Sequence, residues 1–135
     1  MGAITSCLRS LGYEASDQLV TSKLTKLGGS STDTVLVAVE PSAGVVGLVS
    51  VHVLPLFHAP GNLARLTSMV VLEGHRGRGA GRALVAAAEG FAWEHDCQRI
   101  EVTSGDHRPD AHAFYEKLGY RVDERRFIKH RAGAV

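Results

Sequence analysis

A glycine- and arginine-rich segment follows an apolar stretch of the chain and precedes an alanine-rich one. The glycines are Gly77, Gly79 and Gly81, and the arginines between and beside them are Arg76, Arg78 and Arg82. Glycine lets the backbone approach a ligand without a Cβ in the way, and arginine adds positive charge. If a helix begins here, its first N–H groups and its dipole also favour an anion. The segment therefore predicts a site for a phosphate or a diphosphate.

The spacing of this segment excludes two familiar phosphate-binding motifs. A P-loop requires Gly-x-x-x-x-Gly-Lys-Ser/Thr, whereas Gly74 and Gly79 are followed here by Ala80 and Gly81. The dinucleotide motif Gly-x-Gly-x-x-Gly also fails, because the position three residues after Gly79 is Arg82. By itself the turn is equally compatible with a helix cap that carries solvated arginines.

A second segment, about 35 residues downstream, adds specificity. It reads Asp110-Ala111-His112-Ala113-Phe114-Tyr115-Glu116-Lys117-Leu118-Gly119-Tyr120. The pattern Arg76-x-x-Gly79-x-Gly81 resembles the Arg/Gln-x-x-Gly-x-Gly/Ala signature of the GNAT superfamily of N-acetyltransferases. The later segment resembles the same superfamily's Ala-x-x-Phe-Tyr-x-x-x-Gly-Phe/Tyr motif, and the two motifs stand in the family's order. The resemblance covers roughly Thr34 to the C-terminus.

The resemblance implies acetyl-coenzyme A as co-substrate. Its diphosphate is expected on seven consecutive residues: Arg76, Gly77, Arg78, Gly79, Ala80, Gly81 and Arg82. In the family the strand before the turn splays from its neighbour, so the pantetheine arm is expected along the backbone of Met69, Val70 and Val71. An N–H near Val71 would polarise the thioester carbonyl. Tyr115 matches a tyrosine that often protonates the departing thiolate.

The general base that would deprotonate an amine is left open. Some family members carry a glutamate in the strand before the turn, but residues 65–69 contain no carboxylate. The candidates elsewhere are Glu101, His107, His112 and His52. A chain of water molecules could serve instead, and Glu73 is expected to be solvated. Arg108 stands where many relatives carry an asparagine that touches the coenzyme, so Arg108 either reaches a phosphate or caps the surface.

Composition bounds the class of protein. With 135 residues, 44% of them hydrophobic and 21% charged, the chain is predicted to form one domain, residues 1–135. Its net charge of +1 gives no general attraction to nucleic acid, and no apolar run is long enough to span a membrane. Cys7 and Cys97 match neither a zinc motif nor a disulfide framework, and the histidines are scattered. Reduced thiols, no metal and a cytoplasmic location are therefore predicted.

The pattern of apolar residues and turn signals predicts the elements that position these motifs. Two short helices open the chain, and the second is capped by Ser16-Asp17 and ended by Gly28-Gly29. Four strands follow, at residues 34–40, 45–54, 63–72 and 99–104. Two further helices are predicted at residues 81–95 and 109–118, and one or two terminal strands within residues 121–130. By resemblance the fold is α/β of the GNAT type: a mixed, mostly antiparallel sheet with helices on both faces.

One departure from the family concerns its usual first strand, which this sequence lacks because it begins directly in a helix. Either the true start lies further upstream, or the domain tolerates a shorter sheet. An unpaired sheet edge invites pairing with another chain, so a homodimer is a hypothesis. A monomer by light scattering at high concentration would count against it.

The leading functional hypothesis is an N-acetyltransferase that moves the acetyl group of acetyl-coenzyme A to a primary amine of a small molecule, directly within a ternary complex. One alternative is transfer to a protein or peptide amine. Another is a non-catalytic acyl-coenzyme A sensor or interaction module, and a third is a nucleotide-binding domain of a different kind. The sequence does not identify the acceptor, because family membership does not fix it.

Overall fold

The computed structural model describes residues 2–10, 15–103, 109–123 and 126–133. The chain divides into two compact units, Met1–Ser104 and Gly105–Val135. The first unit contains the sheet, its helices and the glycine-rich turn, whereas the second contains the helix that carries Tyr115. Whether the whole chain behaves as the single predicted domain stays a prediction.

Two short helices open the first unit, as predicted. Helix α1 spans Gly2–Ser10 and helix α2 spans Asp17–Gly28. Ser16 is the N-cap of α2, because its hydroxyl accepts a hydrogen bond from the backbone N–H of Leu19 at 3.1 Å. Gly29 caps the other end, which confirms both predicted boundaries of this helix.

The sheet has four strands in the order β1-β2-β3-β4. Their bounds are Asp33–Glu40 for β1, Gly44–Pro55 for β2, Asn62–Val71 for β3 and Cys97–Val102 for β4. The first three strands are antiparallel, and β4 runs parallel to β3. The predicted mixed, mostly antiparallel sheet is therefore confirmed. Strand β4 begins two residues earlier than predicted, because Cys97 already pairs with Asn62.

Helices cover both faces of this sheet within the first unit. Helix α3, Ala80–Glu94, presents Leu84, Ala88 and Ala92 to one face, where they pack in a core with Val49 and Leu66. Successive residues of a strand point to opposite faces, so Leu48 and Val70 lie on the other face. There they form a second cluster with Cys7 of α1. The prediction of helices on both faces is confirmed.

The second unit contains helix α4, Pro109–Lys117, which begins at the proline as predicted. Gly119 has φ +94°, a backbone conformation that favours glycine after a helix, and its N–H donates to Glu116 O at 3.0 Å. The predicted terminal strands are wrong for the described part of residues 121–130, which contains no strand. The side chains of Val122, Phe127 and Ile128 are exposed there. Residues with high β propensity form a strand only where a partner strand is available, and none is paired with that part of the chain.

One edge of the sheet is open among the described residues. Strand β1 pairs with β2 alone, and α1 is the first element that the structure describes. Val37 and Val39 of β1 are 42% and 62% exposed. An apolar strand edge of this kind can pair with a second chain. The homodimer stays a prediction, and its test is the mass by light scattering at high protein concentration.

Gly47 of β2 lies where the strand approaches its neighbour too closely for a side chain. A Cβ at this position would stand 2.8 Å from Val70 O, 3.2 Å from Leu84 Cδ1 and 3.3 Å from Val71 Cγ2. We expect Gly47→Ala to lower the free energy of unfolding by about 1–3 kcal/mol, because the backbone oxygen cannot retreat without disturbing the β2–β3 ladder. Chemical denaturation measures this change.

The matched control is Gly90→Ala in α3, where an added Cβ would meet no described atom within 4 Å. This helical position is exposed, so alanine should raise the free energy of unfolding by about 0.5–1 kcal/mol. A Gly47→Ala protein as stable as the wild type would show that the β2–β3 approach is looser than the structure indicates.

Candidate functional site

The glycine-rich turn joins the end of β3 to the start of α3. The Leu72 N–H donates to Val46 O at 2.8 Å, and the His75 N–H then donates to Leu72 O at 3.1 Å, which reverses the chain. Gly77 and Gly79 have φ +80° and +88°, which residues with a Cβ rarely adopt. A Cβ at either position would meet no described atom within 4 Å, so the space beside both glycines is open.

The N-terminus of α3 lacks a side-chain cap. Gly79 is the N-cap residue, and the first bond of the helix runs from the Ala83 N–H to Gly79 O at 3.0 Å. The N–H groups of Ala80, Gly81 and Arg82 precede this bond, and helix geometry gives them no intrahelical acceptor. These donors and the positive end of the helix dipole suit an anion, so the predicted diphosphate site has the required backbone.

The three arginines of the turn differ in their contacts. The Arg76 Nε–H donates to Val71 O at 2.9 Å, which ties the turn to the last residue of β3. Arg78 donates from Nη1 to Glu40 Oε2 at 3.2 Å, although its side chain is 60% exposed. Arg82 is exposed in the first turn of α3. Their predicted contact with phosphate stays a prediction.

Glu40 is a residue of this region that sequence reasoning missed. Its Oε2 lies 3.1 Å from His75 Nδ1 and 3.2 Å from Arg78 Nη1, so one carboxylate holds both ends of a short stretch of the turn. Strands β1 and β3 both run antiparallel to β2, so the C-terminal ends of β1 and β3 lie at the same end of the sheet. That topology places Glu40, the last residue of β1, beside the turn that follows β3.

Strand β3 extends beyond the stretch in which it pairs with β4. The last paired residues are Leu66 and Val102, and the Thr103 N–H closes the ladder on Leu66 O at 3.0 Å. Among the described residues, Met69 and Val71 then pair with β2 alone. The strand splay that the family resemblance implied stays a prediction.

Residues 67–71, beyond the pairing with β4, are the free stretch of β3. The direction of their backbone groups follows from the hydrogen-bond ladder between β2 and β3. The Leu72 N–H faces β2, and hydrogen-bonded pairs alternate along an antiparallel ladder, so Val70 also faces β2. The N–H and C=O groups of Met69 and Val71 point the other way. The Arg76 contact to Val71 O is consistent with this direction. An extended, amide-rich ligand could pair with this edge as a further strand does.

Tyr115 lies in α4, in the second unit. Its half-buried ring packs edge-on against Phe114 at 5.2 Å and against Tyr120 at 5.9 Å between ring centroids. The Tyr120 N–H donates to Tyr115 O at 3.0 Å, so the turn at Gly119 returns Tyr120 to Tyr115. The proton-donor role of Tyr115 stays a prediction.

The candidate bases have different surroundings. Glu101 is engaged by two arginines, at 3.1 Å from Arg65 Nη2 and 3.0 Å from Arg99 Nε. His112 is exposed, as is Glu73. His107 and Arg108 lie outside the described residues. His52 is half-buried and hydrogen-bonded through both ring nitrogens, to Asp33 and Thr67, two residues that sequence reasoning did not connect with it.

Other site types find little support in the described residues. No three His, Cys, Asp or Glu side chains gather there in a way that could hold a metal ion. No helix in the described ranges is long and apolar enough to cross a membrane. Cys7 and Cys97 are buried and unbridged, and burial raises the pKa of both thiols, which makes them poor nucleophiles.

Comparison with known proteins agrees with this geometry. The sequence profile of the acetyltransferase (GNAT) family matches residues 8–120. The aminoalkylphosphonate N-acetyltransferase of Salmonella typhimurium is 34% identical over 85 residues, which are 63% of this chain and 55% of that protein. The glucosamine 6-phosphate N-acetyltransferase of Trypanosoma brucei brucei is 30% identical over 87 residues, 64% of this chain and 57% of that protein. The matched region thus spans little more than half the length of these relatives.

Solved structures share the fold. A GNAT family acetyltransferase of Staphylococcus aureus superposes with a TM-score of 0.79 at 19% identity, covering 96% of this chain and 88% of that one. At this level of identity the likeness concerns the fold, so the four-stranded mixed sheet and its helices are those of a GNAT domain.

Proposed function

Since this chain belongs to the GNAT acetyltransferase family, we propose that it is an N-acetyltransferase that uses acetyl-coenzyme A. The acetyl group goes to a primary amine of a small molecule, by direct transfer in a ternary complex. One observation carries the proposal. The turn after β3 joins an uncapped helix N-terminus to a strand edge that extends beyond its pairing with β4, and the family's co-substrate combines a diphosphate with an amide-rich arm.

The residues of the first unit fit that co-substrate. The diphosphate binds the N–H groups at the start of α3 and in the turn, residues 76–82, because glycine leaves space there and the arginines balance its charge. The pantetheine arm lies along Met69, Val70 and Val71. A backbone N–H near Val71 that points away from β2, that of Met69 or of Val71, then polarises the thioester carbonyl. These contacts hold the thioester in place and stabilise the charge that develops on its oxygen.

The acceptor is a small amine that also carries an anionic group. Both curated relatives are named for amines of this kind, an aminoalkylphosphonate and a sugar phosphate. Arg65 and Arg99 share the single carboxylate of Glu101, so two guanidinium groups stand near the free stretch of β3. Guanidinium groups form charge-assisted, bidentate bonds with phosphate and phosphonate, which favours an anionic acceptor.

Release of free coenzyme A tests this function. Protein and acetyl-coenzyme A are mixed with 2-aminoethylphosphonate, glucosamine 6-phosphate, glucosamine or a short peptide with a free N-terminus. We expect turnover with a phosphorus-bearing amine, a lower kcat/KM with glucosamine, and initial-rate plots that intersect, as a ternary complex requires. Turnover with the peptide alone would identify a peptide acetyltransferase. Coenzyme binding without release for any amine would contradict an enzyme and favour a binding module.

A further inference from the structure

A row of polar side chains crosses three strands beside the free stretch of β3. Asp33 of β1 stands opposite His52 of β2 in the register. Ser50 of β2 pairs with Ser68, and Val51 pairs with Leu66, so Thr67 is the extra residue of a β-bulge. The bulge turns the Thr67 hydroxyl toward Ser50 and His52, and all of these groups lie on one face of the sheet.

These side chains form one continuous hydrogen-bond chain. The Asp33 Oδ1 is 2.8 Å from His52 Nδ1, the His52 Nε2 is 3.0 Å from Thr67 Oγ1, and the Thr67 Oγ1 is 2.7 Å from Ser50 Oγ. A carboxylate only accepts, so Nδ1 carries the proton of a neutral His52 and Nε2 is free to accept. Thr67 therefore donates to His52 and accepts from Ser50.

One ionised group is in direct contact with the His52 ring. The hydrogen bond with His52, followed by one from Ser30, lowers the pKa of Asp33, so this carboxyl stays ionised at neutral pH. Arg65 stands opposite His52 on β3, but Glu101 of β4 pairs with it at 3.1 Å. Asp33 is thus the charge in direct hydrogen-bond contact with the imidazole, and it holds the ring with Nε2 toward Thr67.

The hydrogen-bond chain ends at Thr67, beside the Met69 end of the stretch that is proposed to hold the thioester. Thr67 directly follows Leu66, the last residue of β3 that pairs with β4. It precedes Met69 by two residues, which is about 7 Å along a strand. A bulge that re-aims a hydroxyl at the fork between two strands is typical of a functional position.

We propose that Thr67, His52 and Asp33 form the proton relay that deprotonates the acceptor amine. This inference rests on the acetyl transfer proposed above. Thr67 touches the ammonium group, His52 is the proton acceptor that acts through Thr67, and Asp33 positions the imidazole. The relay replaces the carboxylate that residues 65–69 lack.

The protons and electrons of the reaction balance. As the ammonium N–H bond breaks, its proton passes to Thr67 Oγ1, and the hydroxyl proton of Thr67 passes to His52 Nε2. The amine lone pair then forms the bond to the thioester carbon. The C–S bond breaks, and its electron pair leaves with the thiolate. The sulfur takes a proton from its acid, predicted to be Tyr115, and the second nitrogen proton replaces the one that this acid gave up. The imidazolium later releases its proton to solvent.

Variants separate this relay from a merely structural role. We expect His52→Gln to lower kcat/KM about tenfold with the best amine, because the Thr67 hydroxyl can still pass a proton to water. Thr67→Val should lower it by at least as much, without changing the affinity for acetyl-coenzyme A. The control is His95→Gln, since His95 is another half-buried histidine with both ring nitrogens hydrogen-bonded, to Phe91 O and Ser31 O, and it should keep kcat/KM.

The pH dependence gives the sharper readout. We expect the acid limb of the kcat/KM profile to differ between the wild type and His52→Gln, because the variant lacks the proton acceptor. Asp33→Asn should lower kcat/KM, because its amide N–H can donate to Nδ1 and so allow the tautomer that carries its proton on Nε2. An active wild type whose acid limb and kcat/KM are unchanged in His52→Gln overturns the relay and leaves the transferase intact.

Nitrogen NMR of the histidine side chains tests the relay even where no amine in the panel is acetylated. We expect neutral His52 to carry its proton on Nδ1 in the wild type. Resonances that place the proton on Nε2 overturn the relay whatever the outcome of the activity assay.

Discussion

Gly79→Val should weaken the binding of acetyl-coenzyme A by at least about 100-fold. Gly79 has φ +88° at the N-cap of α3, and valine is strained there because its β-branched side chain disfavours positive φ. Its methyl groups would also fill the open space beside the N–H groups of Ala80 and Gly81. Isothermal titration calorimetry with acetyl-coenzyme A measures the change in Kd.

The matched control for this variant is Gly74→Val. Gly74 has the same φ of +88°, and an added Cβ there would also meet no described atom within 4 Å. It lies before the stretch 76–82, so the backbone strain is similar while the proposed anion site is untouched. Equal losses of affinity in the two variants would attribute the effect to strain in the turn, and the diphosphate would then lie elsewhere.

Tyr115→Phe should lower kcat at least tenfold, and by about 100-fold as the central expectation. The affinity for acetyl-coenzyme A should change little. The phenol of tyrosine has a reference pKa of about 10 and a thiol one of about 8.5, so full proton transfer from Tyr115 to the departing thiolate is not strongly favourable by itself. A hydrogen bond from the Tyr115 hydroxyl to the sulfur nevertheless lowers the barrier. Phenylalanine keeps the ring and its edge-on contacts with Phe114 and Tyr120. The loss should therefore fall on kcat and kcat/KM together, as expected when a transition-state interaction is removed.

Steady-state kinetics with the best amine of the panel, combined with calorimetry, makes this measurement. Tyr120→Phe is the control, because it removes a hydroxyl from the neighbouring ring of the same aromatic group. It should keep kcat within about twofold of the wild type. An unchanged kcat of Tyr115→Phe at saturating substrates would remove the proton-donor assignment.

Local signals in the sequence predicted much of the fold. The cap at Ser16, the glycine stop at Gly29 and the proline start of α4 are short-range features. The two ends of α2 and the start of α4 follow from these three features. Alternating apolar residues located the four strands to within two residues. The terminal strands were predicted wrongly for the described part of residues 121–130, because a strand also needs a partner and β propensity at Phe127 and Ile128 cannot supply one.

The candidate site also has a part that the sequence predicted and a part that it did not. The turn, its glycines and the start of α3 are contiguous in sequence, so their pattern was visible there. The contacts of Glu40 with His75 and Arg78 join residues at least 35 positions apart, and they depend on strand register. The bond between His52 and Thr67 depends on a one-residue bulge that shifts the face of a single side chain. Neither register nor bulge leaves a periodic signal.

A crystal structure of the protein grown with millimolar acetyl-coenzyme A tests the central claim most directly. The account predicts the diphosphate oxygens within about 3 Å of the backbone N–H groups at residues 77–82, with the pantetheine arm along Met69 and Val71. A coenzyme bound anywhere else on the chain, or a turn that stays empty at that concentration, would contradict it.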